Sequence, residues 1–326
     1  GFPLLMTMTD WFDRTVAPTV TPPRRRGSIR RTTSMEVQWP TGRDGDARII
    51  GRGRDLLTPA DGGAARVVAD ERLDATVTRD KRIATLATRP VLNGVEALAG
   101  HHALIGLRAR LRDMEQTDGP LALLLDDMVG TNIISGWVWS RWLTDRREKL
   151  AFVGDPAAMA NACLSYAPGS QALENDGYLD KVDYVPPLGR ADDPIAFHPL
   201  QPDCDRTMRR VRRIDLWREG DLLWMDAMFQ DSGVLPGTRR SAIHEYRLCA
   251  SADASGGVLR SIDAHWGVLP HAQCRQGPET LASLPGIALT ALRAHVLRAL
   301  RGTAGCTHLN DAARSLAEMG ALAAQL

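Results

Sequence analysis

Between residues 32 and 88 apolar and polar positions alternate, first at Met35, Val37 and Trp39 and then in runs at 49–57, 66–77 and 83–88. A period of two turns successive side chains to opposite faces of an extended chain. Turn-forming clusters separate the runs at Pro40-Thr41-Gly42, Asp44-Gly45 and Asp61-Gly62-Gly63, so the pattern predicts four strands paired mostly antiparallel. The spacing then becomes helical over 95–114 and breaks at Asp118-Gly119-Pro120. A mainly apolar stretch of helical length follows at 121–143. The second half runs the same course, with strands at 211–217, 222–229, 242–252 and 258–266 and a helix near 281–300. A last helix is expected from Gly305 to the C-terminus. Strands precede helices in each half, which indicates an α+β fold and not alternating βαβ units.

Local sequence echoes suggest that the halves are copies. Leu107-Arg108-Ala109-Arg110-Leu111-Arg112 is answered by Leu292-Arg293-Ala294-His295-Val296-Leu297-Arg298, and Leu125-Asp126-Asp127 by Leu309-Asn310-Asp311. Arg30-Arg31-Thr32-Thr33-Ser34 is answered by Arg212-Arg213-Ile214-Asp215-Leu216. A sheet with helices on one side leaves its other face poorly covered, so two homologous halves, 30–149 and 207–326, are expected to pack as an intrachain pseudo-dimer. Residues 150–206 fit neither half. Their Pro, Gly, Asp, Tyr and Phe content suggests an ordered, loop-rich insertion folded over the body as a lid. Residues 1–29, rich in Thr, Pro and Arg, read as a mobile N-terminal arm in which Met6 or Met8 offers a natural start.

Composition narrows the class. The chain has 326 residues, 44% apolar and 24% charged, as expected of a globular protein of about two domains. A formal net charge of +1 argues against a nucleic-acid or membrane-surface role, and no stretch approaches the ~20 apolar residues of a membrane span. Five cysteines, an odd number with no Cys-x-x-Cys pair, fit a reduced protein of the cytoplasm.

Candidate chemistry concentrates where the halves differ. Cys306-Thr307-His308 stands where the first half has Ala122-Leu123-Leu124. Thr307 suits the N-cap of a last helix, placing Cys306 and His308 where the helix dipole favours a thiolate. His308 and Asp311 are three apart on one helix face, giving a thiol, an imidazole base and an orienting carboxylate. The competing structural reading is a small buried cysteine and a turn-capping histidine. A zinc-like metal held by Cys306, His308 and Cys274, with His271 or His265, is a further alternative, although no spacing matches a zinc finger or ribbon. Asp126 and Asp127 interrupt an apolar run, so at least one needs a partner or a raised pKa; they either cap or pair with arginine, or serve as acid–base groups, with Asp127 the candidate. Asn132 and Trp137 follow, either lining a pocket or packing the core. In its strand His244 shares a face with Tyr246 and not with Glu245. Tyr184 and His198 in the insertion are candidates for substrate contact. Arg209-Arg210 and Arg212-Arg213 read most simply as a solvated strand end, or as an anion site if they converge on the insertion. No dinucleotide fingerprint, phosphate loop, Gly-x-Ser-x-Gly elbow or His-Glu-x-x-His motif is present.

With these residues in view, the chain resembles a bacterial family known as a domain of unknown function, whose members end in a Gly-Cys-Thr-His-Leu signature like residues 305–309. The Arg31-Thr32-Thr33-Ser34-Met35, Gly51-Arg52-Gly53-Arg54-Asp55 and Asp192-Asp193-Pro194 stretches are similar too, so the resemblance spans most of 30–320. It implies no assigned activity. The order hairpin, Cys274, helix, Cys306 distantly resembles iron–sulfur cluster assembly scaffold proteins in topology, without their Gly-Cys-Gly signature. The expectation is an acid–base enzyme of lyase, hydratase or isomerase type that uses no organic cofactor and acts on a small apolar or aromatic molecule. Asp127, His244, Cys306, His308 and Asp311 are its catalytic candidates. The alternatives are a non-catalytic metal- or ligand-binding scaffold and a purely structural pseudo-dimer. Its partner would be a small molecule, neither nucleic acid nor membrane, and self-association is left open.

Overall fold

The computed structural model describes residues 18–326 apart from 113, 115–118, 146, 149–155, 175–184, 238–239 and 256. All eight expected strands form: β1 (Ser28–Gln38), β2 (Ala47–Thr58), β3 (Arg66–Val77), β4 (Ile83–Arg89), β5 (Met208–Glu219), β6 (Leu222–Val234), β7 (Arg240–Asp253) and β8 (Leu259–Trp266). They make one antiparallel sheet in the order β4-β3-β2-β1-β5-β6-β7-β8. Each half is a meander of neighbouring strands, and the halves meet where β1 pairs antiparallel with β5, Thr33 opposite Arg212. The protein is therefore α+β.

Helices cover one face of the sheet: α1 (Leu107–Arg112), α2 (Pro120–Trp142), α3 (Leu289–Ala299), α4 (Thr307–Arg314) and α5 (Glu318–Ala323). Under α2 a core forms from Met35, Ile49, Leu73, Leu124 and Met128. Under the C-terminal helices a second forms from Leu216, Met225, Leu248, Leu292, Leu309 and Met319. The backbone of β2 makes room for α2, since a Cβ on Gly53 would run into Pro120. α2 corrects the expectation about apolar stretches, because it is long and apolar enough to cross a membrane. Its most apolar window is 78% buried inside the fold, as befits a core helix.

Among the described residues, the opposite face is covered only at its centre. Residues 18–27 and 185–206 lie there, with Thr19 donating to Glu245 (2.7 Å from the backbone N–H) and Arg24 to Asp193 (2.6 Å). Leu188 and Phe197 pack on Val211 and Met228. This explains why β5 does not alternate: it is buried on both sides for its first ten residues, whereas β3 alternates because one face is open. Residues 1–17 of the expected arm lie outside the described residues.

Two helix readings change. Residues 95–114 are not one helix: 101–103 run extended beside β4, where Ile83 N–H donates to the His101 carbonyl and Ala103 N–H to that of Lys81. Helix 281–300 begins only at Leu289, after a 3-10 stretch Ala272–Ser283. Pro285 lies between them, and proline lacks an N–H and disfavours helical backbone before it.

Candidate functional site

The centre of the helix-covered face is charged. Arg210 and Arg212, alternate residues of β5, point towards α2, and both guanidiniums stack 4.7 Å from the Phe229 ring centre. Arg212 forms a bidentate pair with Asp127, both contacts 2.6 Å. Arg210 forms another with Asp231 of β6 (2.8 and 3.0 Å) and reaches Asp311 of α4 (2.9 Å) and Asp127 (3.4 Å). Asp311 also accepts from Arg108 (3.0 Å) and Arg314 (2.7 Å). Burial pushes the Asp311 carboxyl up, but Arg314, Arg108 and Arg210 together hold it well below the usual range. The four arginines of 209–213 are thus buried and paired, not a solvated strand end. Asp126 finds the cationic partners its setting demanded: burial raises its pKa, and Arg314, Arg293 and Arg108 bring it down to about 2.

Beyond Asp231 the network meets two imidazoles. His244 Nδ1 lies 3.5 Å and His308 Nε2 3.9 Å from Asp231 Oδ2. The rings stack with centres 3.5 Å apart and planes 17° from parallel. A bulge in the β6–β7 ladder falls here, between Asp231 and Ser232, and leaves Ile243 unpaired beside His244. Bulges re-aim side chains in this way next to sites. Burial, with the His308 charge nearby, lowers the His244 pKa to about 4, so this ring is neutral. His308 is the member nearest solvent, with 16% of its side chain exposed.

The thiols complete the group. Cys306, not Thr307, is the N-cap of α4 and has no side-chain cap hydrogen bond. The Thr307 hydroxyl faces Cys163 instead, and the Leu164 N–H donates to the Gly305 carbonyl (2.9 Å), so residues 163 and 164 lie against this helix start. Tyr246, on the His244 face of β7, places its hydroxyl 3.4 Å from Cys306 Sγ and donates to the Cys274 carbonyl at 3.2 Å. Ser165 Oγ lies 2.7 Å from Cys274 Sγ. The proximity of the two thiols is the largest influence on Cys306, and it favours the thiolate, holding the pKa well below that of a free thiol. Burial opposes the Cys306 shift, and contact with His308 and Tyr246 adds to it. Of the two thiols, Cys306 alone also has His308 and the helix start beside it, which favour its thiolate form.

The five catalytic candidates therefore lie on one face, but not in the expected roles. Asp311 faces arginines and not His308; the carboxylate beside the imidazoles is Asp231, which the sequence reading did not single out. Its signal was available, since in two neighbouring strands of opposite register Asp231 and His244 are the paired polar positions of a buried face. His198 is on the other face, its ring nitrogens each 2.8 Å from a hydroxyl of Ser34 or Thr32. Asn132 donates to the Met128 carbonyl one turn back, and Trp137 packs in the core beside Val138. Tyr184 lies outside the described residues. Asp231, His244 and His308 each offer a ligand atom within 4.8 Å of the others, a spacing that could hold a metal, while Asp231 already gives both oxygens to Arg210.

The packing has a testable consequence. Glycine inside a helix ordinarily costs about 1 kcal/mol relative to alanine. In α2 a Cβ on Gly130 would overlap the Arg210 guanidinium and the Asp311 carboxylate. Gly130→Ala should therefore lower the melting temperature, and an unchanged or higher value by calorimetry would refute this packing.

No curated protein and no solved structure matches the chain. Residues 208–321, from the first residue of β5 into α5 and including Cys306, His308, Asp231 and His244, match the family described as protein of unknown function (DUF2889).

Proposed function

We propose that the chain is an acid–base enzyme of the lyase, hydratase or isomerase type, acting on a small apolar or aromatic molecule at the Cys306–His308 site. The observation that carries this reading is the meeting of a thiol at a helix start, two stacked imidazoles and a buried carboxylate on one sheet face. In this reading Cys306 takes a proton from carbon, the adjoining bond to the leaving group breaks, and a proton from the His308 ring passes to the departing atom. Asp231 positions the imidazoles, and Arg210 fixes Asp231. We also propose that the two halves are homologous, a reading supported by the symmetric strand order, and that the second bears the reactive groups.

Cys306→Ser and His308→Asn test it. Against a panel of small aromatic hydroxy and carbonyl compounds, turnover by the wild type should fall about 10²–10⁴-fold in each variant, with the melting temperature kept. The ultraviolet absorbance of a thiolate should be present at neutral pH and vanish in Cys306→Ser. Equal turnover in all three proteins, or no Cys306 thiolate at neutral pH, would overturn the reading. A second reading rests on the metal-like spacing of Asp231, His244 and His308. Stoichiometric zinc or iron in the purified protein, lost in His244→Ala, would favour it.

A further inference from the structure

On the face of the first half opposite the helices, arginines outnumber the carboxylates near them among the described residues. Arg48, Ile50 and Arg52 are alternate residues of β2 and share that face, and across the ladder Arg52 stands directly opposite Arg72 of β3. Like charges opposite one another destabilise a sheet unless something lies between them. The strands wall a cavity of about 310 Å³ lined by Gln38, Arg48, Arg52, Arg72, Asp74 and Gln201. Three guanidiniums therefore face a single carboxylate. Asp74 lies 3.5 Å from Arg48, both more than half exposed. Arg72 has Asp70 at 4.0 Å, also at the surface. Such exposed pairs neutralise little. Arg52 is half-buried, and its Nε is buried without a hydrogen-bond partner among the described residues. Its charge is felt as far as His198, whose pKa it helps to lower behind the larger effects of burial and Arg54.

We propose that this cavity is a binding site for a small dianion, a phosphate group or a dicarboxylate, held between Arg52 and Arg72. The planar fork of each guanidinium offers two parallel N–H donors to a pair of oxyanion oxygens. Arg48 adds charge at the mouth, and the amides of Gln38 and Gln201 add neutral donors. The unpartnered Arg52 Nε supplies a donor that a bound oxygen satisfies. The volume equals roughly ten waters at about 30 Å³ each, which leaves room for a short organic group on the anion. The cavity lies in the first half, on the face opposite Cys306, so it stands or falls independently of the acid–base reading.

Thermal unfolding of the whole chain tests it, in buffer free of polyanions and at constant ionic strength set by sodium chloride. Adding millimolar inorganic phosphate or succinate in place of chloride should raise the wild-type melting temperature. Phosphate alone, succinate alone or both acting each support the site and identify its preference. Arg72→Gln, at a half-exposed position, should melt at or above the wild-type temperature without the anion, because a like-charge pair is relieved. Titration calorimetry should show affinity for the active anion reduced at least ~10-fold in Arg72→Gln and in Arg52→Gln, the loss expected for a charged hydrogen bond. No stabilisation beyond chloride, or wild-type affinity in both variants, would overturn the proposal.

Discussion

Replacing Arg210 with methionine should lower stability by about 3–5 kcal/mol, the usual consequence of removing one partner from a buried ion pair. Arg210 is fully buried and serves Asp231, Asp311 and Asp127 at once. Burial alone pushes the Asp231 carboxyl up, and Arg210 more than reverses it through charge and hydrogen bonds. Without the guanidinium, Asp231 must take up a proton or remain as an unpaired charge in an apolar setting. Asp127 keeps Arg212, and Asp311 keeps Arg108 and Arg314, so the loss falls mainly on Asp231. A control is available at Arg79, whose pair with Asp44 is 66% and 62% exposed. Arg79→Ala should change stability by no more than about 1 kcal/mol. Urea unfolding of both variants compares them; similar midpoints for the two would mean that the buried network contributes no more than a surface pair.

The second large effect is with pH. His198 is enclosed by Ser34 and Thr32, and burial, aided by Arg54 and Arg52, lowers its pKa from 6.5 to about 3. A folded pKa below the unfolded one means that the unfolded chain binds the extra proton. The stabilisation is therefore complete above about pH 6.5 and is lost as pH falls towards 3. At 1.36 kcal/mol per unit the loss from this one ring is on the order of 5 kcal/mol. His244, lowered to about 4, acts in the same direction. Glu36 and Glu245, whose carboxyls burial raises, act in the opposite one. The comparison of wild type with His198→Gln isolates the histidine: between pH 6 and 4 (roughly the span of one imidazole titration) the variant should lose less stability than the wild type. Parallel stability curves for the two proteins would show that His198 protonates freely in the folded state.

The strands were the legible part of the fold. Each is bounded by turn residues, and β2, β3, β6 and β7 carry enough apolar positions to be found by period alone. The helices were read less well, because a helical period does not register a competing partner. Residues 101–103 have one in the edge of β4, and Pro285 interrupts the later run. At the site, Cys306 and His308 were visible as reactive residues absent from the first half. Thr307 looked like the cap, yet a cap is decided by backbone angles, and the chain turns one residue earlier, at Cys306. Arg210 and Arg212 looked solvated because charge ordinarily means exposure. They are buried because carboxylates from α2, β6 and α4 arrive over them.

What the sequence by itself determined is therefore local: alternation, turns and the placement of His244 with Tyr246 on one face follow from neighbours a few residues apart. The tertiary structure decided which charges meet. Asp127, Arg210, Asp231, His244, His308 and Asp311 are spread over nearly 200 positions, and a carboxylate's partner depends on which helix crosses which strand. The same side chain can bind water, an arginine or an imidazole with comparable local sequence. Only burial, which makes an unpaired charge costly, selects among them.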